Sequence, residues 1–435
     1  MLNTINSVIW GYLLTTLLIF TGVRISIKTR FFQLRKFPMM CKKTLFGLFK
    51  KSSGNAISPF EAMSTALSGT MGTGNIIGVG TAIALGGAGS IFWMILSAVL
   101  CMIIKYAEVA LSVKYRITEN GEKHGGAMYY ITKGMGEKYR FLAVIFSISV
   151  IFTSFGIGAA AQSVAVSSSI SNTAGKSTYS ILCGVALCVA AACVIFGTAR
   201  ALMKFTSLLV PIMTLTYFIG AAFVLIKYRC EIPSAVGRIF SGVFCTNAAG
   251  GGMVGMMNVL ALRHGFSKGM FTNEAGMGSA PIVHAKADNT PGEQGLWGML
   301  EVFLDTVVMC TLTAFVILVT NSESLPGSIM TTTAFCKVFG DMGSIFIAVC
   351  ATLFAFGAII GWCCYGVAGC EFLFHSKSAV IVYKIIYCAV IILGAALPMT
   401  LVFELSDLLN AFMALPNLIA VNALTNDVVT ISKKQ

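Results

Sequence analysis

The sequence predicts an all-α, polytopic membrane protein of about eleven transmembrane helices, two of them interrupted near mid-span. Three observations carry this. Hydrophobic residues make up 57% of the 435-residue chain and charged residues only 11%, against roughly 25% charged in an ordinary soluble domain. A water-soluble fold could not hide so much apolar surface, because a sizeable part of any fold faces water. The apolar residues also gather into runs of about 20, the length that crosses a hydrocarbon core of roughly 30 Å. Finally, glycine and small polar residues break up two of these runs.

The runs lie at about 5–23, 58–86, 90–113, 141–165, 178–198, 205–226, 236–262, 295–320, 341–371, 380–398 and 402–425. With the N-terminus outside and the C-terminus inside, 24 of the 30 Lys and Arg fall in cytoplasmic loops, five fall outside, and Lys105 lies within a span. That bias is what membrane insertion selects for. It explains the net charge of +13 without invoking nucleic acid. Met1 to Ser7 carries no Lys or Arg and the positive charge follows the first run. The first run therefore reads as an uncleaved helix, not a signal peptide. In the basic stretch after it, Phe31, Phe32, Leu34, Phe37 and Leu45 alternate with Arg30, Arg35, Lys36, Lys42 and Lys43. This is either an amphipathic helix on the membrane surface or an ordinary cytoplasmic loop. Most of the 14 cysteines sit in apolar runs, as Cys101, Cys183, Cys188, Cys193 and Cys310 do, where Cys is a small hydrophobe. No spacing for a structural or catalytic transition-metal site appears.

The interruptions are Ser68-Gly-Thr-Met-Gly-Thr-Gly-Asn75 in the second run and Thr246-Asn-Ala-Ala-Gly-Gly-Gly252 in the seventh. Each glycine costs a helix interior about 1 kcal/mol. In lipid, unwound backbone survives only where it lines a cavity enclosed by protein. Small residues for tight helix packing are the plainer alternative. Without the N-terminal helix, the breaks fall in the first and sixth of ten spans, as expected for two five-helix repeats of inverted topology. The chain then divides into residues 1–57 (first helix and basic segment), 58–228 (first repeat) and 229–435 (second repeat).

Broken helices offer unpaired N–H groups at one new end and unpaired C=O groups at the other. The first attract a carboxylate and the second a cation, so a zwitterionic amino acid with a cation would use both. Gly72, Thr73, Gly74 and Asn75 are candidates to hold substrate at the first break, and Gly250, Gly251 and Gly252 at the second. Gln162 is a buried amide that either contacts ligand or bonds another helix. Trp362 either walls a small pocket or packs in the core. Glu108, Glu301 and Asp305 are ionisable residues inside spans. Glu301 and Asp305, four apart, share a helix face and suit either cation handling or pairing with a loop Arg or Lys. Asn273-Glu-Ala-Gly276 reads as a re-entrant or gating segment, or as an ordered cytoplasmic loop. No catalytic constellation or dinucleotide fingerprint is present, so an enzyme is not expected. Nor is there a repeated filter or charge ring of a channel.

The motifs from Thr65 to Ile77, Ala82 to Gly87, Lys105 to Glu108, Gly125 to Tyr129 and Asn273 to Pro281 complete a pattern, with Asp305-Thr306 and Pro416-Asn417. In these the sequence resembles the alanine or glycine:cation symporter family, over the first helix to the last span. The resemblance implies a LeuT-type fold of the amino acid–polyamine–organocation superfamily with one extra N-terminal helix. It implies uptake of alanine or glycine with Na⁺, or with H⁺, by alternating access in a bacterial or archaeal inner membrane, and no cofactor. A sensor of transporter fold with weak ion coupling is the alternative. By position, Thr70, Gly74, Gln162 and Trp362 would contact substrate, and Gly69, Thr70, Gly357 and Ala358 would lie at the ion site. The family pattern in the ninth span has two hydroxyl residues after Phe-Ala-Phe. Here Phe354-Ala-Phe is followed by Gly357 and Ala358, which offer backbone carbonyls only. Weak sodium coupling, proton coupling, a shifted ion site or a different small substrate would each follow from that loss.

Overall fold

The computed structural model describes residues 6, 9–49, 56–119, 121–174, 180–244 and 251–435. Helices dominate. The chain enters through α1 (Thr15–Lys28) and the short surface helix α2 (Phe37–Leu45). It then forms α3 (Pro59–Thr70) and α4 (Gly74–Gly86), separated by irregular backbone. Next come α5 (Ser90–Tyr115), α6 (Glu137–Ser171), α7 (Ser180–Ile195) and α8 (Ala199–Lys227). The second half holds α9 (Ile232–Phe244), α10 (Gly251–Asn273), α11 (Pro291–Val319) and α12 (Gly327–Phe339). It ends with α13 (Asp341–Phe374), α14 (Lys377–Gly394), α15 (Met399–Ala423) and α16 (Thr425–Lys433). Among the described residues, seven helices (α5, α6, α8, α11, α13, α14 and α15) are long and apolar enough to cross a membrane, and α4 and α7 are shorter apolar helices. One antiparallel ribbon, Ile117–Glu119 with Glu122–His124, interrupts the helical pattern in the loop after α5.

The outer surface is that of a membrane protein. On α8, Leu208, Ile212, Leu215, Ile219, Phe223 and Ile226 are exposed, at the three- and four-residue spacing of one helix face. The opposite face buries Met203, Val210, Met213, Tyr217 and Val224. Both faces are apolar, which suits a helix between protein and lipid. Inside, α5 is the central pillar, packed against α1, α10 and α11. Glycines let α11 come close: a Cβ on Gly295 would lie 2.7 Å from Tyr106, and one on Gly298 would lie 2.8 Å from Val109.

The seventh run departs from its expected bounds of 236–262. The structure gives α9, a short helix burying Ala235, Ile239 and Val243 on one face while exposing Phe240, and then α10 from Gly251. Arg263 and Lys268 therefore lie within α10, not in a cytoplasmic loop. Of the expected glycine break, Thr246 to Gly250 falls outside the described residues. Gly251 and Gly252 are the first two residues of α10, where glycine costs less than in a helix interior because the first N–H groups have no intrahelical partner. Irregular backbone appears instead after α10, at 274–279. There Glu274, Gly276 and Gly278 all adopt positive φ (52°, 87° and 77°), before the short helix Ala280–His284. This segment is buried, not a loop on the surface.

Candidate functional site

A capping box starts α3: Ser58 accepts from the Glu61 amide while Glu61 accepts from the Ser58 amide, and Pro59 follows the cap. The helix stops at Thr70. Met71 leaves helical geometry (ψ 81°), and α4 resumes at Gly74 with a π-type turn. Two amides are diverted in the gap. The Gly72 N–H donates to the Thr70 carbonyl at 2.9 Å, and the Thr73 N–H donates to Gln162 Oε1 at 3.4 Å. The carbonyls of Ser68 and Gly69 therefore lose the donors that a continuous helix would supply. This is the polarity expected of a broken helix, with donors at one end and acceptors at the other.

Gln162, on α6, closes over the gap. Its Oε1 also accepts from the Thr73 hydroxyl at 3.2 Å, and its Nε2 donates to the Ile157 carbonyl at 3.2 Å. A Cβ on Gly72 would lie 3.1 Å from Gln162 Nε2, so glycine there gives the amide room. A cavity of about 30 Å³ lies at this point, lined by Gly69, Thr70, Gly72, Thr73, Gly74, Ile157, Gln162, Phe271, Thr272, Glu274, Trp362 and Phe403. A water needs about 10–15 Å³ by the same measure, so the space admits only a few heavy atoms. Trp362 is fully buried. It packs edge-on to Tyr365, with ring centroids 5.3 Å apart.

The cavity brings together Thr70, Gly72, Thr73, Gly74, Gln162 and Trp362 of the residues expected from sequence, and Gly69 of the expected ion site. Asn75 turns away from it. Its Nδ2 donates to Asp305 Oδ1 at 2.8 Å, and its buried Oδ1 has no hydrogen-bond partner among the described residues. Gly250 lies outside the described residues. Gly251 and Gly252 are about 30 Å along α10 from Phe271 and Thr272, at 1.5 Å rise per residue. The end of α10 that reaches the cavity is thus the opposite one. Gly357 and Ala358 are buried on α13. Gly357 faces α3, where a Cβ would lie 3.5 Å from Ser68 Cβ and 3.6 Å from the Ser68 carbonyl oxygen. One turn on, a Cβ at Gly361 would meet the Gly69 N and Cα at 2.8 Å, so glycines bring α13 against the broken end of α3.

Sequence reasoning missed Ile157, Phe271, Thr272, Glu274 and Phe403 as lining residues. The small-residue run from Asn273 to Ala280 was a signal for Glu274. Phe403 is a lone aromatic in an apolar run and had none.

Behind the cavity lies a buried polar centre. Thr306 Oγ1 donates to Asp305 Oδ2 at 3.0 Å, and Asn273 Nδ2 donates to Thr306 Oγ1 at 3.1 Å. Thr272 and Thr306 hydroxyls stand 3.5 Å apart. Farther along, Lys105 pairs with Glu301 at 3.3 Å, and Glu301 also meets His284 Nε2 at 3.0 Å. Glu301 thus pairs with a lysine inside a span, not with a loop cation, and Asp305 has an amide partner. Glu108 accepts from the Gly278 amide at 3.1 Å and from Asn417 Nδ2, which ties α5 and α15 to the irregular segment 274–279. Among the described residues, no cluster of three His, Cys, Asp or Glu is arranged to hold a metal ion.

Known proteins are similar to this sequence over nearly its whole length. The family model described as the sodium:alanine symporter family matches residues 1–434. The sodium/alanine symporter AgcS of Methanococcus maripaludis is 36% identical over 442 residues, covering 100% of this chain and 96% of that protein. "Probable sodium/glutamine symporter GlnT" of Bacillus subtilis is 34% identical, covering 98% of this chain and 88% of that protein. The amino-acid carrier protein AlsT of Bacillus subtilis is likewise 34% identical, with 98% and 90% covered. With a broken helix, a small cavity at the break and a family match that spans residues 1–434, this multi-pass membrane chain belongs to the sodium:alanine symporter family.

Proposed function

We propose that the protein carries alanine or glycine into the cell together with Na⁺ by alternating access. The observation that carries this reading is the closure of Gln162 onto the Thr73 amide at the break between α3 and α4. The amide oxygen of Gln162 occupies the place where a substrate carboxylate would accept from the same N–H and hydroxyl. Among the described residues Glu274 is the one acid lining the cavity, and its carboxylate suits the substrate ammonium. Trp362, Phe271 and Phe403 limit the side chain to a methyl group or a hydrogen. The same small volume argues against glutamine, the substrate in the name of the relative GlnT.

For the ion there are two groups of oxygens. One is the Ser68 carbonyl, which faces Gly357, with the Gly69 carbonyl next in the chain, and without the hydroxyls that a hard cation favours. The other, on the far side of the break, is Asn75 Oδ1, the Asp305 carboxylate and the Thr306 hydroxyl. The unpartnered Asn75 oxygen favours this second group, as a shifted ion site that offsets the loss of hydroxyls at 357 and 358. Eleven spans in a five-plus-five inverted repeat, residues 58–228 and 229–435 after the N-terminal segment, would place both breaks at mid-membrane. The irregular segment 274–279 supports such a repeat better than the glycine triad does. In this scheme the N-terminus faces outward, in the inner membrane.

Counterflow tests the reading. Proteoliposomes loaded with unlabelled alanine should take up labelled alanine transiently. A protein that binds alanine without exchanging it would be a sensor, and transport would be excluded.

A further inference from the structure

We infer that the cytoplasmic end of α1 and the chain's last helix together form a binding site for a phosphate group, that of an anionic phospholipid. A cavity of about 270 Å³ lies between them, lined by Lys28, Arg30, Arg35, Lys36 and Lys433, with Ser432 and Gln435 among its polar neighbours. No Asp or Glu lines it. Elsewhere on this face three lysines have acidic partners: Lys43 meets Glu293 at 3.0 Å, Lys114 meets Asp427 at 3.0 Å and Lys123 meets Asp288 at 2.7 Å. Among the described residues none of the five groove cations has an Asp or Glu partner. Lys28 reaches only the Asn426 amide oxygen at 3.2 Å, and Lys36 meets the terminal carboxylate of Gln435 at 3.0 Å, one negative charge against five positive. Membrane topology explains why cations collect in cytoplasmic loops. It does not explain why five of them should converge on one concavity from both ends of the chain, where their mutual repulsion asks for an anion.

The backbone is shaped for it. Arg30 and Phe31 both adopt left-handed φ (55° and 54°), a conformation that side chains with a Cβ rarely take. It turns the chain sharply at the end of α1 and brings Arg30 and Arg35 to the same groove. Apolar side chains complete the match to a lipid. Phe20, Val23 and Ile27 are exposed along α1 at three- and four-residue spacing, a stripe that leads to the groove. Phe31 and Leu34 are exposed beside its mouth. An acyl chain along that stripe would place its phosphate among the five cations, as basic pockets at the cytoplasmic surface do.

Native mass spectrometry of the full-length protein in detergent tests this, with phosphatidylglycerol, phosphatidylcholine and inorganic phosphate as separate probes. The unchanged protein should retain phosphatidylglycerol in preference to phosphatidylcholine. Arg30→Gln/Arg35→Gln should weaken that preference by about thirtyfold, given that each cation near an anionic surface contributes about 1 kcal/mol. Lys433→Gln, on the other wall, should weaken it in the same direction, whereas Lys138→Gln, an exposed cation outside the groove, should leave it intact. Binding of inorganic phosphate as tight as that of the lipid, lost in the same variants, would keep the phosphate site but exclude the lipid. Equal retention of the two lipids, or an unchanged preference in both groove variants with unchanged melting temperature, would overturn the inference.

Discussion

Gln162 Oε1 stands 3.2 Å from the Thr73 hydroxyl and 3.4 Å from the Thr73 amide, and this contact spans the gap between α3 and α4. It satisfies a donor that the break exposes, so the broken helix is stable without substrate. In the proposed binding mode Gln162 is the group that must yield when a carboxylate arrives.

Gln162→Glu should therefore lower alanine uptake far more than it lowers stability. A carboxylate at this position repels the substrate carboxylate from the Thr73 amide. A charge-assisted bond is worth about 1.5–3 kcal/mol, so the apparent KM for alanine should rise by about tenfold or more. Uptake kinetics at saturating Na⁺, with a thermal melt of the purified variant, check this.

Glu274→Gln should impair substrates with a free ammonium without disturbing the segment's fold, because Ser279 Oγ, 2.6 Å from Glu274 Oε2, can still donate to the amide oxygen. Competition of alanine uptake by propionate separates the effects. Loss of alanine preference over propionate is the expected result.

Gly357 and Gly361 should behave oppositely. Gly361→Ala drives a Cβ to 2.8 Å from the Gly69 backbone, so the helices must separate, at a cost of about 1–3 kcal/mol. At Gly357 a Cβ meets its nearest neighbours at 3.4 to 3.6 Å, so Gly357→Ser forces no such backbone clash. Melting temperature should fall in the first variant and hold in the second. Gly357→Ser/Ala358→Thr should raise apparent Na⁺ affinity if the Ser68 side takes part in coupling. Asp305→Asn should lower that affinity if the Asn75 side holds the ion. Na⁺ titration of uptake in the two variants separates the positions.

The buried pair of Lys105 and Glu301, both side chains fully inaccessible, predicts a stability cycle. Glu301→Gln leaves Lys105 buried without its directly paired carboxylate and should cost about 3–5 kcal/mol. Lys105→Met/Glu301→Gln should recover much of it. Chemical denaturation of the purified proteins gives the comparison.

Much of the first half of the site was legible in the sequence, because Gly72-Thr-Gly74 in an apolar run cannot continue a helix cheaply. The second irregular segment was legible only as a small-residue stretch. Three consecutive glycines at 250–252 are the stronger compositional signal, yet Gly251 and Gly252 open a regular helix. What distinguishes 274–279 is positive φ and burial against Glu108 and Asn417, and both depend on contacts remote in sequence. Lys105 showed the same limit. Its position within a span was plain, but its partner Glu301 could be identified only from the packing of α5 on α11.

Uptake of labelled alanine into proteoliposomes, with and without an inward Na⁺ gradient, tests the central claim most directly. Accumulation above the external concentration that collapses when the Na⁺ gradient is dissipated is the result expected. Alanine uptake indifferent to Na⁺, or none under any gradient, would contradict it.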